Sequence, residues 1–429
     1  MTDQSLIGFA GLSHLGIVYS LATAARGFSV VAFDSEDSLS KELTAGRFPI
    51  REPGLEELFR SHSERIRYTS DPDALKQCGL IFVALDVQTD DSANSDLAPL
   101  KALIKTLTAQ AVPGRAVTLL SQVPPGFCRR LASEVGSRCQ LYYQAETLVF
   151  GNAVERAVHP ERYIVGSNNP ARPLPELYRH CLQAFGCPIL TMRYESAELC
   201  KLAINCLLAS SVCISNSLAE LCESIGADWS EITPALRLDR RIGKFAYLTP
   251  GLGIAGGNLE RDLVSVEKLA AEFGSDSRVI GALQQNSSYI RDWALRRLFR
   301  LGLLSNPAGT LFAMWGLSYK PDTHSTKNSS SLALLRSLAG YQWSVHDPAV
   351  QISSAEFSHM RTCESALEAV QDATALVVMT PWDSFSRVPL KDVENAMRGH
   401  HILDPYAILD QQRCLQLGFT YNRLGARAC

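Results

Sequence analysis

The chain has 429 residues, enough at roughly 150 per domain for two or three domains with buried cores of their own. Hydrophobic residues make up 46% and charged residues 20%, and the mean hydropathy is zero, which excludes a generally disordered or fibrous chain. Its 41 basic and 44 acidic residues leave a net charge of -3, so no chain-wide field draws it to nucleic acid or to an anionic membrane.

Residues 5–34 read as strand, glycine turn, helix and strand, a βαβ unit of about 30 residues. Met1–Gln4 carries no positive charge and Gly8, Gly11 and Gly16 punctuate the segment after it, so the apolar run Leu15–Ala25 is expected to be this helix and not the core of a secretory leader. Apolar strand-like runs occur next at Leu80–Leu85, Ala116–Leu120 and Tyr163–Gly166, separated by amphipathic helical stretches, which predicts a mostly parallel sheet to about residue 190. From Ser196 to about Gly302 no strand signal occurs. Glu198–Ile225 is apolar but holds Lys201, Asn205, Asn216 and Glu220, too polar for a lipid-facing span, and is expected to be one long buried helix. Strand runs resume at Thr310–Gly316, Gln342–His346, Ala375–Met379 and His401–Asp404. The expected fold class is α/β: two Rossmann-like doubly wound domains, 1–195 and 303–429, joined by a long central helix and a helical middle domain, 196–302.

The twelve cysteines form no CxxC pair and no Cys/His cluster with zinc spacing. They read as reduced thiols of a cytoplasmic protein, several of them buried, and the histidines show no metal spacing either. No metal site is expected.

Gly11-Leu12-Ser13-His14-Leu15-Gly16 has the place of a dinucleotide fingerprint, after a strand and before a helix, with Ser13 where the second glycine would stand. Asp34 ends the next strand about 20 residues on, where a carboxylate accepts from ribose hydroxyls and disfavours a 2′-phosphate, so the cofactor expected is NAD. Gly11, Ser13, Leu15, Gly16 and Asp34 are the candidate cofactor residues. A βαβ turn that holds no nucleotide is the plainer reading of the same pattern, and a serine at the second glycine predicts weaker or shifted pyrophosphate contact.

Leu43-Thr44-Ala45-Gly46-Arg47-Phe48-Pro49-Ile50-Arg51-Glu52-Pro53-Gly54-Leu55 closely resembles a signature of the UDP-glucose/GDP-mannose dehydrogenase family. Further matches keep the family's order: Ala145–Leu148 through Ala153 to His159-Pro160-Glu161-Arg162, Ala197–Asn205, Asp239–Gly243, Tyr247–Asp262, Gly316–Ser329, Thr380-Pro381-Trp382-Asp383, and Asp404-Pro405. The resemblance covers almost the whole chain. It implies an N-terminal NAD-binding domain, a central helix that forms the core of a homodimer, and a C-terminal nucleotide-sugar domain. Residue by residue it carries Glu146, Lys201, Asn205 and Asp262 over as acid/base glutamate, active-site lysine, asparagine and water-holding aspartate. It assigns Leu148, Arg241, Tyr247, Gly253, Gly256 and Lys320 to the nucleotide sugar, with Arg241 reaching the neighbouring subunit's substrate, and Gln122 and Lys327 to the cofactor side.

The family oxidises a sugar alcohol to a carboxylate with two NAD, holding the intermediate on one cysteine; ungapped alignment of Gly253–Asp262 puts Asn258 in that place. An amide has no comparable nucleophilicity. Gln122, Arg261, Lys327 and Val149-Phe150 depart from the family pattern around the same site. The expectation is an NAD-dependent two-electron step, alcohol to carbonyl or its reverse, on a nucleotide sugar, expected to be a UDP-sugar; a slow 6-dehydrogenase working through an aldehyde hydrate is the variant of this reading. The reading from another class is an inactive nucleotide-sugar-binding homologue or regulatory partner. Individual residues have plainer roles too: Glu146 as an ion-pair partner, Lys201 and Asn205 as a polar pair satisfying loops, and Asn258 either as a donor to a substrate oxygen or as a drifted loop position.

Overall fold

The computed structural model describes residues 6–88, 90, 95–109, 114–352 and 356–428. Met1–Gln4, on which the leader reading rests, Ser5 of the first strand run, and Cys429 lie outside the described residues. The chain divides into two compact units, Met1–Ile204 and Asn205–Cys429.

Unit 1 is built on an eight-stranded sheet: β1 (Ile7–Ala10), β2 (Val30–Phe33), β3 (Ile66–Thr69), β4 (Leu80–Val83), β5 (Ala116–Leu119), β6 (Gln140–Gln144), β7 (Tyr163–Ser167) and β8 (Ile189–Arg193), in the order β3-β2-β1-β4-β5-β6-β7-β8. All neighbours run parallel except β6 and β7, which pair antiparallel through Tyr142–Ser167, Tyr143–Gly166 and Gln144–Val165. The central strands are buried on both faces, as parallel strands covered by helices must be. Alternate residues feed two apolar layers, Ile7, Phe9, Val30 and Phe82 on one face and Ala10, Val31, Ile81 and Val83 on the other. The chain order reverses at β1 and β4, and it is outside the carboxyl ends of such strands that open α/β sheets bind ligands. Helix α1 (His14–Ala25) follows β1 directly, and α2 (Phe127–Val135) starts eight residues beyond β5.

Helix α2 has no side-chain cap of its own; Gly126 precedes it at φ +86°. Its first N–H groups are satisfied from a distance. Glu198, fully buried, accepts from Gly126 N at 2.6 Å and Cys128 N at 2.7 Å. A carboxylate there also suits the positive end of the helix dipole.

Glu198 lies on α3 (Tyr194–Ile225), a 32-residue helix that crosses the boundary between the units. By length and composition alone α3 could cross a membrane. Its polar positions in unit 2 are instead bonded to a globular core: Asn216 accepts from Gly251 N at 2.8 Å, Ser215 donates to Tyr247 O at 3.2 Å, and Glu223 accepts from Trp293 Nε1 at 2.9 Å. The helix was expected to be buried throughout and is not. Leu207, Ile214, Leu218, Leu221 and Ile225 form an exposed apolar stripe on this chain, Leu207 at 70%.

Unit 2 carries α4 (Asn258–Phe273), α5 (Arg278–Arg291) and α6 (Trp293–Arg300) ahead of a six-stranded parallel sheet: β9 (Leu311–Trp315), β10 (Gln342–His346), β11 (Met360–Thr362), β12 (Ala375–Val378), β13 (His401–Leu403) and β14 (Thr420–Asn422). The order is β11-β10-β9-β12-β13-β14, so this sheet too is doubly wound about β9. Ala219, Trp229, Trp293 and Leu298 share one core with Phe312, Met314 and Val377, so much of the helical segment packs directly on the second sheet. Both sheets agree with the α/β class read from the sequence. The strands not anticipated were β3, β6, β8, β11 and β14. Four are edge strands, short or only partly buried, and β6 begins and ends in glutamine, so none presents a long apolar run.

Candidate active site

In unit 1 the fingerprint loop is wound tightly between β1 and α1. A Cβ on Gly16 would lie 1.9 Å from Gly11 O, so the helix approaches the turn more closely than any side chain allows. Ser13 has φ -70° and ψ -172°, extended backbone open to any residue, which explains why serine replaces glycine without strain. Its hydroxyl donates to Ala84 O at 2.8 Å and accepts from Asp86 N at 3.0 Å, tying the loop to the end of β4. Asp34, at the end of β2, accepts from Leu12 N at 2.7 Å and Glu36 N at 3.1 Å, which fixes the carboxylate beside the same loop. Leu15 is buried in the α1 core. Gln122 sits half-buried in the turn after β5, next to Ser121, whose hydroxyl donates to Leu85 O at 2.6 Å.

A second layer braces this edge. His14 Nε2 and Glu52 Oε1 lie 2.9 Å apart, both nearly buried, and Glu52 also accepts from Gly151 N at 3.0 Å and Ala153 N at 3.1 Å. Phe150 packs its ring 4.4 Å from that of His14. Glu52, within the family signature, thus clamps three segments together. Glu146 follows β6; its carboxylate accepts from Leu148 N and stands 3.4 Å from Lys201 Nζ on α3. Both side chains of this pair are only about an eighth exposed, at 14% and 12%. Leu148 packs half-buried against the core below.

In unit 2 a second cluster forms around Asp262, on the first turns of α4 and 0% exposed. Its carboxylate accepts from Asn205 Nδ2 at 2.5 Å and from Arg261 Nε at 2.9 Å, two donors on one buried acceptor. Asn258 is solvent-facing at the start of α4, after Gly257 at φ +96°. The loop before it is seated on residues 319–328. Gly256 N donates to Lys327 O at 3.1 Å, and a Cβ on Gly256 would come within 2.5 Å of the Tyr319 ring, at a φ of +87° that favours glycine in any case. The Lys327 side chain lies against Gly257, Asn328 donates to Glu260, and Lys320 projects over the Tyr319 ring. Gly253 is fixed by Ser287, whose hydroxyl accepts from Ile254 N at 2.7 Å. Cys206, one residue from Asn205, is a thiol pushed up in pKa by burial and by Asp262, the reverse of what a nucleophile needs.

Of the residues singled out from the sequence, Gly11, Ser13, Leu15, Gly16, Asp34, Gln122, Glu146, Leu148 and Lys201 belong to unit 1. Asn205, Gly253, Gly256, Asn258, Asp262, Lys320 and Lys327 gather around the loop at the start of α4 in unit 2. Tyr247 is half-exposed nearby in sequence, bonded through its carbonyl to Ser215. Arg241 is not gathered: its 89% exposed side chain pairs with Asp239 at 2.6 Å on the chain's own surface. The sequence reading missed Asp86, His14, Glu52 and Tyr319. Asp86 had a usable signal, a carboxylate three residues beyond a strand that flanks β1. No described residues form a group able to hold a metal, and none of the eleven described cysteines is bonded to another.

Three profiles of the UDP-glucose/GDP-mannose dehydrogenase family match the chain in order: its NAD binding domain at residues 5–182, its central domain at 195–288 and its UDP binding domain at 313–411. The UDP-glucose 6-dehydrogenase TuaD of Bacillus subtilis is 26% identical over 437 residues, covering 98% of this chain and 93% of that one. Among solved structures, a UDP-D-ManNAc dehydrogenase of Pyrococcus horikoshii superposes with a TM-score of 0.84 at 21% identity, covering 98% of this chain and 99% of the other. A UDP-glucose dehydrogenase of Pyrobaculum islandicum does so with a TM-score of 0.84 at 23% identity, covering 99% and 98%. NAD fits the tight glycine turn and the carboxylate at Asp34 in unit 1, and is the cofactor.

Proposed function

The chain belongs to the UDP-glucose/GDP-mannose dehydrogenase family, and from that premise we propose that it is a cytoplasmic, homodimeric oxidoreductase that carries a nucleotide sugar, a UDP-sugar, through a single two-electron step between alcohol and carbonyl. The observation that carries the proposal is the coexistence of an intact Glu146–Lys201 pair with an amide, Asn258, in place of the family's thiol. NAD, held by the Gly11–Gly16 turn and Asp34, would supply the acceptor for a hydride from the sugar carbon. The chain's own residues handle the proton and the developing charge. Lys201 hands one ammonium proton to the Glu146 carboxylate beside it and takes the hydroxyl proton in its place, so the restored ammonium donates to the oxygen as charge develops there, and the Asn258 amide donates to a substrate oxygen. With no thiol at position 258 the carbonyl product is not captured there, so the second oxidation is not supported.

Gly253, Gly256, Tyr247, Leu148 and Lys320 are the proposed contacts to the nucleotide sugar, and Gln122 and Lys327 those on the cofactor side, with the domain limits 1–195, 196–302 and 303–429. The exposed stripe on α3 supports the homodimer: five large apolar side chains on one helix face are costly to leave in water. Arg241, on the exposed surface beside Asp239, is proposed to serve the partner's site. One observation favours a second reading, a binding protein without catalysis. Both Asp262 oxygens are already engaged, by Asn205 and Arg261, which leaves that carboxylate poorly placed to hold a water.

Incubation with NAD and, in turn, UDP-glucose, UDP-N-acetyl sugars and GDP-mannose tests the proposal, with NADH read by absorbance and products by mass spectrometry. A product two mass units lighter, with one NADH each, is expected. A carboxylate with two NADH overturns the two-electron limit. A nucleotide sugar that binds by calorimetry without any NADH formed establishes the second reading.

A further inference from the structure

Glu146 and Leu148 sit on a loop that leaves β6 and ends at the short helix Ala153–Val158. The near end of this loop is fixed by the sheet, where Ala145 N donates to Ile164 O at 3.0 Å. The far end is fixed by a side chain. Gly151 N and Ala153 N donate to Glu52 at 3.0 and 3.1 Å, from 99 and 101 residues away in sequence. The same carboxylate meets His14 Nε2 at 2.9 Å, and His14 is the first residue of α1, directly after Ser13 of the dinucleotide turn. A carboxylate has only lone pairs to offer, so His14 is the donor. Phe150, one of the residues at which the chain departs from the family pattern, packs on the His14 ring at 4.4 Å.

The Glu52 side chain is 1% exposed, and a carboxylate so deeply buried is costly unless its oxygens are well used. Here its three donors come from the two edges of unit 1 that must agree for the reaction, the turn that holds NAD and the loop that carries Glu146. We infer that Glu52, steadied by His14, is a positioning residue for the reaction: it ties the Glu146–Leu148 loop to the start of α1, and so sets where the Glu146–Lys201 pair stands relative to the cofactor turn. Its effect passes through Glu146, which lies 3.4 Å from Lys201 Nζ. Reacting groups tolerate little misplacement, about 10²-fold in rate for 1 Å.

The inference rests on the proposed role of Glu146 beside Lys201. Glu52→Gln keeps the shape of the side chain and replaces one oxygen by NH2. Whichever end takes the nitrogen, it faces an N–H, because His14 and Gly151 share Oε1 and Ala153 uses Oε2. His14→Phe keeps a ring against Phe150 and loses the donor, whereas His14→Gln offers a donor again. Melting curves establish that each full-length variant is folded, NADH fluorescence gives cofactor affinity, and initial rates with NAD are taken on UDP-glucose, UDP-N-acetyl sugars and GDP-mannose. Glu52→Gln should lower kcat at least ~10-fold while the sugar KM and the NADH affinity change less than ~3-fold. His14→Phe should move in the same direction, with His14→Gln nearer to wild type, and amide exchange at Gly151 and Ala153 should quicken in Glu52→Gln. A folded Glu52→Gln with the kcat of wild type overturns the inference. So does a loss of NADH affinity as large as the loss of rate, since Glu52 then only props the turn. If Glu52→Gln does not fold, His14→Phe decides by the same criteria. A wild type that binds NADH yet forms none from NAD with any of these sugars removes the catalytic role of Glu146, and the inference falls with it.

Discussion

Replacing Asp262 by Asn changes one atom of a fully buried side chain and removes the charge opposite Arg261, whose own side chain is 14% exposed. The wild-type carboxylate accepts at both oxygens, from Asn205 Nδ2 at 2.5 Å and Arg261 Nε at 2.9 Å. An amide has one acceptor atom and two donor protons, so one of those two donors must face another donor. Breaking a buried pair while leaving its partner in place costs about 3–5 kcal/mol, and the remaining exposure of Arg261 places this case near the lower end, about 3 kcal/mol. At ~2–4 °C per kcal/mol for a unit of this size, the transition of unit 2 should fall by about 6–12 °C. Scanning calorimetry at neutral pH reads it. The double substitution Arg261→Met, Asp262→Leu should recover a good part of the loss, since it leaves no unpaired charge buried. A transition for Asp262→Asn within about 2 °C of wild type would show that the pair does not hold the start of α4, and the reasoning from burial fails.

Asn258→Cys should restore a nucleophile at the start of α4, turning one NADH per sugar into two and the carbonyl product into a carboxylate, read by absorbance and mass spectrometry; an unchanged product would place the block elsewhere. Gly256→Ala should cost about 1 kcal/mol for the left-handed backbone alone and more through the Tyr319 ring, with Tyr319→Ala recovering only the second part in denaturant midpoints. Burial holds the Glu198 carboxyl above its ordinary pKa despite the two N–H groups it accepts from. The folded chain therefore keeps that proton to higher pH than the unfolded one, and stability should decline as pH rises from about 4 through the folded pKa. Glu198→Gln should flatten that segment of a stability–pH series, and an unchanged slope would remove Glu198 as its cause. Ile214→Glu with Leu218→Glu should convert the proposed dimer to monomer in analytical ultracentrifugation, whereas a wild-type monomer would leave the α3 stripe without its proposed cover.

The sequence read well where one local rule decided the outcome. The strand–glycine–helix pattern around Gly11 and Gly16 placed the nucleotide edge because close backbone approach there admits nothing but glycine. The buried strands Leu80–Val83 and Ala375–Val378 announced themselves as short apolar runs. What escaped was set by contacts distant in sequence. Glu52 serves loops about a hundred residues away, Glu198 caps a helix about seventy residues earlier, and Asp86 meets Ser13 across 73 residues. Ser13 itself looked like a weakening of the fingerprint, yet its extended backbone shows that the position needed no glycine conformationally. The long helix was misjudged for a different reason. Apolar residues all around a helix read as burial, and a single sequence does not say whether the cover comes from the same chain.

The single antiparallel pairing in unit 1, three residue pairs between β6 and β7, decides where the chain goes next. Had β7 and β8 kept the polarity of the other six strands, the chain would leave β8 at the nucleotide edge, and α3 would lead away from it. Reversed, β8 ends at the opposite edge, where Tyr194 donates to Leu141 O at the start of β6. Helix α3 then has to climb back along the sheet. Seven helical steps from Tyr194, about 10 Å at 1.5 Å each, bring Lys201 level with Glu146, past Gly166, where only a hydrogen leaves room for Ala197. The lysine that we propose acts on the substrate is therefore aimed by strand polarity far below it. Any change that let β7 re-pair in the opposite sense would abolish the site without touching one of its residues.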